Sequence, residues 1–146
     1  MSETQNNYNL VINSPIDQVW FALTTSDEIS KYMKVIKVES DWQEGSTIKY
    51  SCYGDDGNIM NWEGVPVIWK GIIEVFEKNI EFTCVYPNPD TALGITKETY
   101  QLEKIDQNTT KLSFNQFTIS KEVAARYQHG TSNSLNMLKA YLEQQN

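Results

Sequence analysis

Residues 120–144 are the one stretch of this chain that can form a single long helix, and that limits what the rest can be. Ser120 stands where an N-cap is expected, with Glu122 among the first helical residues. Apolar residues then recur at Val123, Tyr127, Leu135, Leu138 and Leu142, a spacing that draws one stripe down a helix. Almost everything from 35 to 119 reads instead as strands. One long amphipathic helix after a run of antiparallel strands must bury its stripe against their sheet. A strongly curved sheet would then grip a pocket between itself and the helix.

A chain of 146 residues is long enough to bury a substantial core without staples, and residues 1–146 read as one domain. Hydrophobic residues at 40% and aromatics at 12% argue for a packed globule. The net charge of −7, with no lysine or arginine cluster, leaves no basic patch to neutralise phosphates, so no nucleic-acid partner is expected. Met1-Ser2-Glu3 opens a polar segment without an apolar secretory core. No apolar run approaches the roughly 20 residues that span a bilayer, so a cytoplasmic protein with no integral membrane association is expected. Cys52 and Cys84 lie in strand-like runs without metal-ligand spacing and read as two free, buried thiols.

Along the chain, 7–13 alternates with Tyr8, Leu10 and Ile12 on one face, a first strand. Ser14-Pro15 then signals a helix, with Ser14 as N-cap, burying Ile16, Val19, Trp20 and Leu23. A second short helix is expected over 27–33, burying Ile29 with Tyr32 or Met33. Strands are expected near 35–42, 47–53, 59–69, 71–77, 80–86, 96–105 and 110–119. The joints carry turn chemistry, such as Glu44-Gly45, Asp55-Asp56-Gly57, Lys78-Asn79 and Asp106-Gln107-Asn108, so the strands form an antiparallel meander. Gly64 and Pro66 interrupt the 59–69 run and mark it as a bulge or a protected edge, compatible with monomer or homodimer. Parity places Ile80, Phe82, Cys84, Tyr86, Tyr100, Leu102, Leu112, Phe114 and Gln116 inward, and Lys97, Gln101, Glu103, Lys111 and Ser113 outward.

At residue level the chain resembles the branch of the START-like (SRPBCC) superfamily related to the activator of heat-shock protein 90 ATPase. The resemblance lies in Ser14-Pro15-Ile16-Asp17-Gln18-Val19-Trp20 at the first helix and Ile29-Ser30-Lys31-Tyr32 at the second. It continues through Gly45, Ile48-Lys49-Tyr50, Gly71-Ile72-Ile73-Glu74-Val75, Ile80-Glu81-Phe82 and Tyr100-Gln101-Leu102. Thr110-Lys111-Leu112-Ser113-Phe114 and Leu135-Asn136-Met137-Leu138 complete it. It implies an α+β helix-grip fold: a curved antiparallel sheet of about six to seven strands, with two short helices after strand 1, wrapped around a long C-terminal helix. Where this branch often carries Gly-Trp, the chain has Gly130-Thr131, so that end of the pocket is expected to be more open.

Catalytic chemistry has little to work with. His129 is the lone histidine and lies outside the apolar stripe, and neither a nucleophile motif nor a metal-ligand set accompanies it, so no cofactor, metal or catalytic set is expected. Asp55-Asp56-Gly57 lacks the spaced ligands of a calcium loop and reads as a hairpin turn. Glu98 faces inward by parity, either as a desolvated carboxylate, or at a wet mouth or paired with a lysine, and Gln116 either caps a buried polar group or orients a ligand. The candidate ligand-binding set is Trp62, Phe82, Glu98, Tyr100, Phe114, Gln116, Tyr127, Thr131 and Ser134. The expected function is non-enzymatic binding of a small hydrophobic molecule between sheet and helix. The alternatives are a stress-related, chaperone-associated interaction module, implied by the resemblance, and a cavity enzyme using Glu98.

Overall fold

The computed structural model describes residues 4–90 and 92–145, with the side chain of Trp62 left aside. Strand β1 (Thr4–Ile12) leads into helices α1 (Ile16–Leu23) and α2 (Ser26–Tyr32). Strands β2 (Ile36–Ser40) and β3 (Thr47–Cys52) follow, then a small hairpin of β4 (Asn61–Trp62) and β5 (Val65–Pro66). The chain continues through β6 (Ile68–Glu77), β7 (Glu81–Val85), β8 (Ile95–Asp106) and β9 (Thr109–Thr118) into α3 (Lys121–Glu143). Seven strands make one antiparallel sheet in the order β1-β9-β8-β7-β6-β3-β2. This is the expected helix-grip α+β architecture: α3, 23 residues and about 34 Å long, packs against β1 and β9 and touches α1 and α2.

Local chemistry explains the element ends. The Ser120 hydroxyl accepts from Val123 N–H and caps α3, as its sequence position implies. Ser14 does not cap α1: Pro15 occupies that place, and the buried Ser14 hydroxyl donates instead to the Gln18 side chain. The 59–69 run is not one strand. Glu63 and Gly64, both at positive φ, fold it back into the β4–β5 hairpin outside the main sheet, and Trp69 joins β6. The sheet edges are therefore β1 and β2, not the 59–69 run. Ile80 lies in the turn before β7 and is 57% exposed, because the turn and not strand parity sets its direction. Cys84 is buried, whereas Cys52, near the sheet's far side beside Met60, is only part-buried; both are free thiols.

On the inner face the register lines up one aromatic from each of five neighbouring strands. Phe76 pairs with Phe82, Phe82 with Tyr100, Tyr100 with Phe114, and Phe114 with Tyr8. Successive ring centroids lie 5.8, 5.9, 4.4 and 6.1 Å apart. Such aromatic neighbours attract beyond their area burial. A β-bulge between Ile73 and Val75 shifts the parity of β6 and so brings Phe76 into the row. Trp20 of α1 sits 5.2 Å from Phe76 and 6.5 Å from Phe82, and Trp42 lies 5.9 Å from Phe82, so the row also anchors the first helix. Leu102, Leu112 and Leu10 form the next row. Phe82→Ala should lower stability by about 3–5 kcal/mol, whereas Phe21→Ala, at an exposed position of α1, should change it by less than about 0.5 kcal/mol. Urea denaturation of both variants checks this, and a smaller loss at Phe82 than at Phe21 would contradict the assigned core.

Candidate functional site

The next row on the inner face is polar. Cys84 pairs across the strands with Glu98, Glu98 with Gln116, and Gln116 with Asn6. A bulge between Ile95 and Lys97 lets both Ile95 and Glu98 turn inward despite their odd spacing. Short hydrogen bonds connect the row into a chain. The Tyr86 hydroxyl donates to Glu98 Oε1 at 3.0 Å, and Gln116 Nε2 donates to Glu98 Oε2 at 2.8 Å. The hydroxyl of Thr131, on α3, donates to Gln116 Oε1 at 3.4 Å, and the Tyr8 hydroxyl donates to the Gln128 carbonyl of the same helix at 3.3 Å. Asn6 Nδ2 donates to the carbonyl of Ala124 at 2.8 Å, which ties β1 to the first turns of the same helix.

Why Tyr86 reaches Glu98 follows from its neighbour on β6. A Cβ on Gly71 would lie 2.5 Å from the Val85 carbonyl oxygen and 2.8 Å from the Tyr86 ring, so only glycine lets that ring lie flat against the strand. Tyr50 and Trp69, cross-strand partners on β3 and β6, stand on the same inner side as Glu98, Tyr100 and Cys84. Trp69 Nε1 is shut off from water; it approaches the Tyr127 hydroxyl but falls short of hydrogen-bond geometry, and has no other acceptor among the described residues. The Tyr127 hydroxyl itself donates to the Leu93 carbonyl at 3.1 Å.

Burial dominates the electrostatics. Desolvation pushes the Glu98 carboxyl above its ordinary range, and the hydrogen bonds from Gln116 and Tyr86 only partly offset it. The Tyr86 and Tyr100 hydroxyls are pushed well up, first by burial and then by the neighbouring Glu98 charge. Burial likewise raises Tyr50 well above the usual phenol range. The Cys84 thiol rises for the same reasons, which makes it a poor nucleophile. Tyr50, Glu98 and Tyr100 are half-buried, so each keeps part of its surface accessible on the inner side of the sheet.

The structure brings together Glu98, Gln116 and Thr131 from the expected set, with Tyr100 beside them. Gln116 bonds the Glu98 carboxylate, and Glu98 forms no ion pair with a lysine among the described residues. Phe82 and Phe114 are almost fully buried in the aromatic row and present little surface to a ligand. The Ser134 hydroxyl turns back to the Gly130 carbonyl of its own helix at 3.0 Å. Tyr127 stands at the Trp69 end of the group. The side chain of Trp62 lies outside the described residues. Sequence reasoning passed over Tyr86, Tyr50 and Trp69 as site residues; the signal for Tyr86 was its inward parity two residues beyond Cys84. His129 is exposed, and no cluster of metal-ligating side chains occurs among the described residues. Two surface depressions, one of about 300 Å³ lined by Glu39, Asp41, Lys49 and Lys70 and one of about 450 Å³ around 54–61, hold none of the expected residues.

A carboxyl whose folded pKa is raised stabilises the fold fully below the unfolded carboxylate range, and that stability is lost as pH rises through the folded value. Glu98→Gln removes this loss and keeps an acceptor for Tyr86. The variant should gain on the wild type as pH rises from 4 to 8, by a few degrees in Tm, the shift that about 1 kcal/mol produces at this size. Thermal unfolding at several pH values measures it; a variant that becomes relatively less stable towards pH 8 would contradict the buried-carboxylate account.

The comparisons agree with this architecture. The family model described as "Activator of Hsp90 ATPase homolog 1-like protein" matches residues 13–143. A solution structure of a Cytophaga hutchinsonii protein is 24% identical with a TM-score of 0.74, covering 97% of this chain and 95% of that one. The Aha1 dimer from Colwellia psychrerythraea, also a solution structure, is 20% identical with a TM-score of 0.71, covering 96% of each chain. A crystal structure from Mesorhizobium loti is 15% identical with a TM-score of 0.75, covering 98% and 99%. No curated protein matches the sequence. At these identities the solved structures speak for the fold, whereas the family model spans nearly the whole chain: the chain belongs to the family of activator of Hsp90 ATPase homolog 1-like proteins, within the START-like superfamily.

Proposed function

We propose that this protein binds a small hydrophobic molecule in the hollow between the curved sheet and α3, without transforming it. The observation that supports the reading is that Tyr50, Glu98 and Tyr100 stay partly accessible on the inner face of the sheet, beside its apolar and aromatic core. Pockets of this composition hold a ligand by area and orient it through a few polar groups. Here those groups are Glu98 and the Trp69 N–H, a buried donor without an acceptor among the described residues. A nucleophile with an activating base is not formed by the side chains that meet there: the Cys84 thiol is held protonated, and the single histidine lies on the surface.

A chaperone-associated role is the second reading, supported by the family's description and by the likeness to a structure titled as the Aha1 dimer. The outer sheet face works against it, since Gln101, Glu103 and Lys111 are exposed there, with Lys97 part-exposed beside them.

Thr131 is the place to test the first reading, because its side chain covers Gln116 from α3 and an indole there would fill the adjoining space. Native mass spectrometry of the protein purified from its own cells should show a stoichiometric small hydrophobic passenger. Thr131→Trp should cut that occupancy about tenfold or more, equivalent to about 1.4 kcal/mol, with the circular dichroism spectrum unchanged. A passenger retained in the folded variant would place the site elsewhere. A clean apo mass together with no uptake of added hydrophobic probes would overturn the binding reading in favour of a partner-binding module.

A further inference from the structure

The half-buried Glu98 carboxylate has no cation beside it among the described residues. Its two oxygens each accept one neutral donor, Tyr86 Oη–H on Oε1 and Gln116 Nε2–H on Oε2. All twelve lysines and arginines of the chain fall within the described residues. None forms an ion pair with Glu98, and none contributes to its electrostatic surroundings. Native proteins neutralise buried charges with a partner, because an isolated ion in a low-dielectric interior is strongly disfavoured. Both neutral donors are arranged for an acceptor carboxylate, and Gln116 is held in that orientation by Thr131 on its carbonyl oxygen. The Tyr86 hydroxyl bonds the carboxylate, the Tyr50 and Tyr100 hydroxyls lie near enough to feel its charge, and Trp69 is the cross-strand partner of Tyr50. Electron-rich ring faces attract a cation most strongly when it is desolvated.

We propose that the ligand carries a protonated amine, which sits against Glu98 while its apolar body fills the hollow. The inference rests on the binding reading above and adds the chemical class of the ligand. The missing positive charge of the site is supplied by the occupant. An amine binds as its ammonium, the Glu98 proton is released if it was held, and no covalent bond is made or broken.

The test compares three probes with one tail, octylamine, octanol and octanoate, by isothermal titration of the apo protein at neutral pH. Octylamine should bind at one site, at least about tenfold tighter than octanol, with octanoate weakest. Glu98→Gln, which preserves the shape and keeps one acceptor oxygen for Tyr86 while removing the charge, should bring octylamine down to the level of octanol. In the wild type, acidification should weaken octylamine and leave octanol unchanged, a readout that does not depend on the variant folding. Equal binding of amine and alcohol would overturn the amine assignment and leave the hydrophobic-binding reading standing. So would tighter binding of octanoate, or an amine preference that survives Glu98→Gln and so reflects the acidic surface. Failure of all three probes to bind would overturn both.

Discussion

The cross-strand register from β6 through β7, β8 and β9 to β1 is the constraint on which the rest of this structure depends. Because side chains alternate with a period of two, one register choice places every residue of five strands at once. The choice made here aligns Phe76, Phe82, Tyr100, Phe114 and Tyr8 in a single row. The same choice then sets Cys84, Glu98, Gln116 and Asn6 in the row beside it. A slip of one residue in any of these strands would put its aromatic in water and break the polar chain. The aromatic row therefore does two jobs: it anchors Trp20 and α1, and it holds Glu98 and Gln116 at hydrogen-bonding distance.

A polar chain beside so apolar a row needs its own explanation. Glu98, Gln116 and Thr131 link the middle of the sheet to the middle of α3, so the helix is positioned by direction-dependent bonds as well as by its leucine stripe. Leu135, Leu138 and Leu142 are buried towards the C-terminal half of that helix, whereas Thr131 and Tyr127 meet the polar groups nearer its N-terminal half. Apolar packing and polar bonding thus occupy different lengths of one element. The START-like fold is compatible with many activities, and the chemistry of this member is read from its own side chains rather than from the architecture.

Much of this was legible in local pattern. The long helix, its Ser120 cap, the two short helices after β1, the meander and the inward direction of Glu98, Tyr100, Phe114 and Gln116 all follow from short-range periodicity and turn chemistry. Where local pattern misled, a backbone irregularity intervened. Ile80 belongs to a turn, Ser14 yields the cap position to Pro15, and the β4–β5 hairpin takes the place of a continuous strand over 59–69. Phe76 enters the inner row through a bulge that no alternation of hydrophobic residues reveals.

The sequence by itself determined which residues could face inward and how the elements begin and end, since strand parity and capping act over two to four neighbours. Only the tertiary structure decided which inward residues meet. Tyr86 and Glu98 are 12 residues apart, Glu98 and Gln116 are 18, and Thr131 comes from a different element altogether. The glycine at 71, the bulge at 95–97 and the pairing of the first strand with the last bring them together. That Glu98 has two neutral donors and no cation is likewise a fact of assembly: charge compensation depends on distance through space, which sequence separation does not encode.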